Sequence, residues 1–446
     1  MSRLRYTSSV KKFRWQLNSF VSYVKLDAET LEAALQLHEH YANGVAGGKR
    51  ASLKFVDFSG IDLSGRNLTE AELTGCRFEN AKLIKTIFER AILFACDFRK
   101  ADLRGARMAK ADIRGANLRG ADLSHADLTQ SDFREGEVAM ADKKNGMLVV
   151  RHRMRPGEAE DTLFVGATLD GSKFNGAQAK GADFQDCSMK GANLSGAILK
   201  DCNLAGADLQ DADLTGARLE GAHFEDAILA GIVLGQAKID PKMAKGALGD
   251  PSDSAKFRAI QLENMANDHQ AWWESNGSAG QHATFDGEDL RPIASIFKGM
   301  RLTAISAVKC NGVGVRFMST QLQGANFSEA DLRGACFAGA DLRGANFTRA
   351  RVKKADFRHA KLSPLQISAD KTRATDFTGA EMRYANFEQA DIREAIFYDA
   401  DMLGTSFRGA QVTGAKRGRS PTAEGESDAP LNVAAPVVAD ARANAA

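Results

Sequence analysis

The stretch ADLRGACFAGADLRGANFTRA, residues 330 to 350, places an apolar side chain at every fifth position: Leu332, Phe337, Leu342 and Phe347, each with alanine two residues before it. Neither regular helix nor strand has that period. A helix turns about 100° per residue, so a step of five rotates successive Leu and Phe by about 140° and scatters them around the circumference. In a flat strand an odd step throws them alternately onto opposite faces. A strand that bends once per repeat keeps them all on one side. With the Leu or Phe called position i, the alanine at i−2 shares the core with it, residue i−1 points outward, and i+1 and i+2 turn the corner. Glycine suits those corners because a β-carbon resists the backbone conformations of tight turns.

The number of corners follows from residues 317 to 412. Phenylalanine recurs every ten residues from Phe317 to Phe357 and again from Phe377 to Phe407, with aliphatic centres between, from Leu322 to Leu362 and from Met382 to Val412. A three-sided coil would mix the two kinds in every vertical column. A four-sided coil of about 20 residues gives pure columns, two facing walls of Phe and two of aliphatic residues, stacked at the strand spacing of about 4.8 Å. Each inward Leu or Phe then contributes roughly 1.5–3 kcal/mol by burial. Stability is spread along a quasi-one-dimensional stack.

The motifs ADLRG (101–105), ANLRG (116–120), GADLQ (206–210) and ANFTR (345–349) resemble the pentapeptide-repeat family, whose pattern is A(D/N)LxX. The resemblance covers well over half the chain. It implies an all-β solenoid, a right-handed quadrilateral β-helix. It constrains function far less, because the family serves many roles on one fold.

Breaks in the period divide the chain. Residues 1–50 are predicted to form an N-terminal helical cap. Residues 51–240 form the first solenoid, with a hairpin insertion near 134–161, where EVAMADKKNGMLVV alternates around Asn145-Gly146. That segment reads as an arm leaving one corner of a continuing coil. Residues 241–284 read as a helical linker and second cap, because LENMANDHQAWW repeats the plan of LEAALQLHEHYA: His38 and His269 each follow a Leu-Glu pair, with Tyr41 or Trp272 three residues on. A cap covers the terminal coil, which otherwise invites edge-to-edge association. Residues 285–415 form the second solenoid. The tail, 416–446, collects small residues, Pro and charge, and reads as disordered.

Charge nearly cancels, at 59 Lys and Arg against 57 Asp and Glu, which disfavours an overall polyelectrolyte partner. Six cysteines without a disulfide-framework spacing fit a reducing compartment. No secretory leader or run of about 18 apolar residues is evident. The expected setting is a bacterial-type cytoplasm, with contact at the inner membrane open through residues 8–24. There Val10, Phe13, Leu17, Phe20, Val21 and Val24 line one helical face and Lys11, Lys12 and Arg14 another. The same helix could instead lie over the first coil.

No phosphate loop, catalytic triad order, zinc signature or dinucleotide fingerprint is present. His38 and His269 lack ligand-spaced partners, so packing or hydrogen bonding in the caps is expected rather than metal binding. Cys76 and Cys96, one coil apart at i−2, are expected to be stacked, reduced core residues. The candidate partner-binding residues are Lys143, Lys144 and Asn145 on the arm and the wall residues Arg99, Arg104, Arg114 and Arg119. A second basic cluster comprises Arg349, Arg351, Lys353, Lys354, Arg358 and Lys361. Interleaved aspartates make salt-laced walls the plainer account of both clusters. Between residues 166 and 240, 11 acids face 6 Lys and Arg, with Asp186, Asp201, Asp211 and Asp226 all at i+2. Some family members of the quinolone-resistance type resemble DNA and engage DNA gyrase, so an acidic wall raises that role as an alternative. The sequence thus points to a non-enzymatic scaffold for an unidentified protein partner, with no catalytic residue, cofactor or metal, and with direct nucleic-acid binding disfavoured.

Overall fold

The computed structural model describes residues 23–144, 147–419 and 429–430, with the backbone alone for 138–153 and 429–430. The chain divides into two compact units, Met1–Asp250 and Pro251–Ala446.

The first unit begins with the bridge of Val24 to Val56 and helix α1 (Ala28–Ala42), whose N-cap Asp27 accepts the Thr30 amide. Above it the chain coils. Parallel bridges join residues 20 apart in four rows, such as Asp62 to Lys82 to Asp102 to Asp122, and their neighbours starting at Ser52, Asp57 and Asn67. The bridging residue is the outward i−1 position. Its N–H donates to the coil below, as from Lys82 to Ile61 O (2.8 Å), while the centre's N–H donates to the coil above, as from Leu63 to Lys82 O (2.9 Å). One bridge per side is therefore all the strand a five-residue repeat can supply. The corner is closed by a turn bond, Arg66 N–H to Leu63 O at 3.1 Å, and the i+2 residue takes a positive φ, as in a type II turn.

Glycine does not hold every corner. Lys85, Arg90 and His125 adopt φ of 56°, 53° and 62° at the i+2 place, a conformation costing a β-carbon residue roughly 1–2 kcal/mol. The four-row hydrogen-bond lattice imposes the corner on whatever residue stands there. Asp186, Asp201, Asp211 and Asp226 lie at φ of 54° to 57°. The acidic column is thus a column of corners, and Asp is among the residues that tolerate this region best.

Insertions leave the lattice without breaking it. Strands β1 (Gly136–Lys144) and β2 (Met147–Arg155) form an antiparallel hairpin. The coil resumes behind it with Asn117 bridged to Glu158 and Asp132 to Lys173. Phe133 and Phe174 meet across the excursion at 5.0 Å between ring centres. The first coil also runs further than expected: Ile228 bridges Leu248 and a 3-10 turn occupies Pro241–Met243, so residues 241–250 belong to the first unit and not to a helical linker.

The second unit starts with helix α2 (Asp253–Glu274), N-capped by Ser252, and the same lattice from Thr284 onward. A second hairpin, β3 (Leu365–Ser368) and β4 (Lys371–Arg373), interrupts it, and the rows jump by 30 residues there, from Lys361 to Asp391. Strand β5 (Ile396–Tyr398) pairs in parallel with β6 (Lys416–Gly418), which pairs with β7 (Ala429–Pro430). The expected disordered tail is corrected at its start by these pairings: Lys416–Gly418 supplies one more rung. The rest of the tail lies outside the described residues. Phe327 and Phe347 are fully buried, as inward centres must be.

Candidate interaction surfaces

The interior offers little chemistry. Its centres and their i−2 partners are Leu, Phe and Ala at essentially zero exposure. Thr86, Cys96 and Thr320 at the i−2 place each donate to the carbonyl of a centre one coil below: Thr86 Oγ1 to Leu63 O (2.9 Å), Cys96 Sγ to Leu73 O (3.0 Å) and Thr320 Oγ1 to Phe297 O (2.7 Å), whereas the Ser131 and Ser172 hydroxyls at that place are buried without a partner. All six cysteines are free. Burial pushes the Cys76, Cys202 and Cys310 thiols up to about 12, so they stay protonated and unreactive. Among the described residues no group of His, Cys, Asp and Glu is placed to hold a metal.

His38 and His269 are fully buried, and each accepts a backbone amide on Nδ1, from Ala51 and Ala283 respectively, at 3.0 Å. Accepting on Nδ1 leaves the proton on Nε2, which in His269 meets Thr303 O at 3.1 Å. Desolvation lowers the pKa of both imidazoles. They tie each cap helix to the start of its coil.

Three of the four wall arginines are committed. Arg99, Arg104 and Arg114 each fork onto the aspartate two residues before. Their Nε and Nη2 atoms donate to Asp97 (2.8 and 2.7 Å), Asp102 (2.8 and 2.6 Å) and Asp112 (2.8 and 2.7 Å). The spacing makes this automatic, since i−1 and i+1 both point outward from one rung. Arg119 has Asn117 in that place and instead reaches Glu160 at 3.4 Å. In the second cluster Arg351 engages Asp331 and Glu381, Lys353 engages Glu381 and Arg358 engages Asp356.

The structure brings Arg114 to the root of the arm, its guanidinium 5.6 Å from the centre of the Phe94 ring. Gly136 leaves the wall against that same ring, and a β-carbon there would stand 2.6 Å from Phe94, so glycine lets the arm depart with the ring in place. Lys143 pairs with Leu148 and Lys144 with Met147 near the hairpin's end. Asn145 lies outside the described residues. So does most of the proposed 8–24 helix; its last two residues are not helical, Val24 being bridged and Tyr23 half-buried. The Tyr23 phenol is pushed up to about 12 by burial and by the Asp97 carboxylate. Among the described residues no helix is long and apolar enough to cross a membrane.

Sequence reasoning missed the β3–β4 hairpin because Ile367 falls on the period and hides a ten-residue excursion. Pro364 was the available signal. It stands at an i+2 corner, and proline cannot adopt a positive φ, so the coil could not turn there.

These features define a β-helix solenoid with a filled core, polar walls and two hairpin excursions. The chain belongs to the pentapeptide-repeat family, which implies a right-handed β-helix solenoid. The family model "Pentapeptide repeats" finds eight copies, over residues 51–93, 96–134, 162–201, 202–238, 295–334, 325–363 and 373–416. Similar solved structures include HetL, a pentapeptide-repeat protein involved in heterocyst differentiation regulation from the cyanobacterium Nostoc, 19% identical over 85% of this chain and 94% of that one, with a TM-score of 0.14. QnrB1, a plasmid-mediated fluoroquinolone resistance protein, is 17% identical over 46% of this chain and 99% of its own, with a TM-score of 0.21. A thylakoid-lumen protein from Arabidopsis thaliana is 22% identical over 23% of this chain and 75% of its own, with a TM-score of 0.18. Curated proteins show no significant match. Likeness at this level does not carry a role from one protein to another.

Proposed function

We propose that this four-sided solenoid is a non-enzymatic scaffold of the cytoplasm that holds a protein partner on the arm Gly136–Arg155 and the adjoining Arg99–Arg119 wall. The carrying observation is the way the arm leaves the coil: the lattice closes behind it, from Asn117 to Glu158, so an 18-residue paired ribbon is added without service to the core. Strands of nine residues extend about 30 Å, far more than a turn between rungs requires. A two-stranded ribbon also keeps open edges, which a partner can extend by strand addition. Six free cysteines, five of them buried, support a reducing setting.

Affinity capture with the full chain as bait should return a partner that is lost when residues 137–155 are deleted; undiminished recovery would remove the arm from the account. The gyrase alternative draws less support, because the acids at 186, 201, 211 and 226 stand where the corner geometry favours Asp and the chain as a whole carries 59 Lys and Arg against 57 Asp and Glu. Supercoiling by gyrase is expected to be unchanged at high protein excess.

A further inference from the structure

On one wall of the second unit two rungs carry a forked Asp-x-Arg pair, and the rung between them does not. Along that wall the i−1 and i+1 residues are Asp341 and Arg343, then Lys361 and Ser363, then Asp391 and Arg393, joined by the bridges from Asp341 to Lys361 and from Lys361 to Asp391. The outer rungs are self-neutralising. Arg343 donates from Nε and Nη2 to Asp341 at 2.9 and 2.8 Å, and Arg393 donates likewise to Asp391 at 2.7 and 2.8 Å. The middle rung has a lysine where its neighbours have aspartate and a serine where they have arginine.

Two consequences follow. The short Ser363 side chain leaves a notch between the two arginines, an open cleft of about 530 Å³ lined by Arg343, His359, Lys361, Ser363, Asp391 and Arg393 among others. Arg343 and Arg393, each paired with its own aspartate, and Lys361, unpaired among the described residues, therefore line it together with one carboxylate, Asp391. That carboxylate is occupied, since Asp391 also accepts from the Ser363 hydroxyl. Each arginine spends one edge of its guanidinium on its own aspartate and keeps Nη1 for a further acceptor, while Lys361 is exposed and has no ion pair among the described residues. Of the basic cluster at 349–361, the structure neutralises Arg351, Lys353 and Arg358 in ion pairs, while Lys361 lines this cleft.

We propose that the notch at Lys361–Ser363 is a binding site for the carboxylates of an acidic protein segment. The arginines lie two rungs apart, about 10 Å at the strand spacing. Alternate side chains of an extended peptide are about 7 Å apart, so two glutamates span the notch, each meeting a free Nη1 with Lys361 between them. Charge-assisted bonds of this kind are the strong ones. Three cations are too few for a nucleic-acid track, where specific binders typically neutralise about 6–10 phosphates. The proposal rests on the scaffold reading but concerns the other unit and a different surface from the arm.

The test is fluorescence anisotropy of a labelled hexaglutamate peptide with the full chain. The decisive variant is Lys361→Asp/Ser363→Arg, which converts the middle rung to the fork its neighbours already carry, fills the notch and keeps the lattice; an unchanged thermal melt checks that it folds. Binding should weaken at least tenfold in this variant, less in Lys361→Gln, and should fall with salt. Deleting residues 137–155 should leave it unchanged. Equal affinity of the double variant, equal binding of hexaglutamine, saturation by inorganic phosphate without peptide binding, or tighter binding of single-stranded DNA would each overturn the proposal. Failure of arm-dependent capture with intact, variant-sensitive peptide binding would unseat the arm reading alone.

Discussion

In the second unit every other centre from Phe317 to Phe407 is a phenylalanine, and the rings of each column stack at 4.5–5.3 Å while meeting the facing column edge-on at 5.6–6.0 Å. The first unit starts the same way, with Phe58, Phe78 and Phe98 stacked at 4.9 Å. It then continues that column with Leu118, and the column of Phe88 passes through Met108 and Leu128. Yet both units keep the same rows of bridges, 20 residues apart. The lattice is therefore set by backbone hydrogen bonds and left-handed corners, while the filling sets how much each rung contributes. Offset and edge-on ring pairs add about 0.5–1.5 kcal/mol beyond their buried area, so the second unit holds its rungs together more tightly.

The largest effect should come from that ladder. Phe347→Ala removes a ring stacked on both sides and is expected to destabilise the second unit by about 3–5 kcal/mol, read by urea unfolding with hydrogen exchange over residues 317–412. Leu128→Ala, a fully buried aliphatic centre of the first unit, should cost less; an equal or greater loss would break the comparison.

The caps come next. His269→Ala orphans the Ala283 amide and the Thr303 carbonyl, at about 1–3 kcal/mol for each buried group, whereas His38→Ala orphans the Ala51 amide. The second cap should suffer more, as measured by exchange at Ala51 and Ala283. Both histidines have pKa values depressed in the folded state. The unfolded chain therefore binds more protons just below the ordinary value of 6.5, and stability is lost as pH falls below it. Thermal melts between pH 7 and pH 5 should show that decline, and it should shrink in the His38→Ala/His269→Ala variant.

Corners give a finer contrast. Gly206 and Gly191 share a positive φ, 66° and 60°, but a β-carbon on Gly206 would collide with Asp186 while one on Gly191 meets nothing within 4 Å. Gly191→Ala should cost about 1–2 kcal/mol and Gly206→Ala more, with Asp186→Gly abolishing the excess in a double-mutant cycle. Smallest is the i−2 hydroxyl. Thr86→Ala forfeits a hydrogen bond worth about 0.5–1.5 kcal/mol. Ser131→Ala, which removes a buried hydroxyl without a partner, should be neutral or stabilising by the same unfolding assay.

The repeat made the coil legible because one rule recurs: inward alanine, inward Leu or Phe, one bridge, one corner. Phe columns even disclosed the number of sides. What escaped were departures that respect the period or oppose two effects of equal size. The β3–β4 hairpin adds ten residues, a whole number of repeats, and so left no phase slip, unlike the arm at 136–155. The interleaved aspartates already made salt-laced walls the plainer account of the arginines, and the geometry adds that Asp97 and Arg99 share the outer face of one rung, where the fork forms. The Lys361–Ser363 notch was invisible for a different reason. Its flanks, Arg343 and Arg393, are 50 residues apart and become neighbours through one normal coil and one lengthened by a hairpin.

The central claim is that the coil closes behind each excursion, so that both hairpins hang on an undisturbed core. A double-mutant cycle between Phe347 and Phe377 tests it most directly, because these rings are 30 residues apart and stack at 4.7 Å only if the hairpin is looped out. A coupling of about 0.5–1.5 kcal/mol is predicted, with none between Phe347 and Ile367, 20 residues apart. Coupling of Phe347 to Ile367 and none to Phe377 would contradict the account.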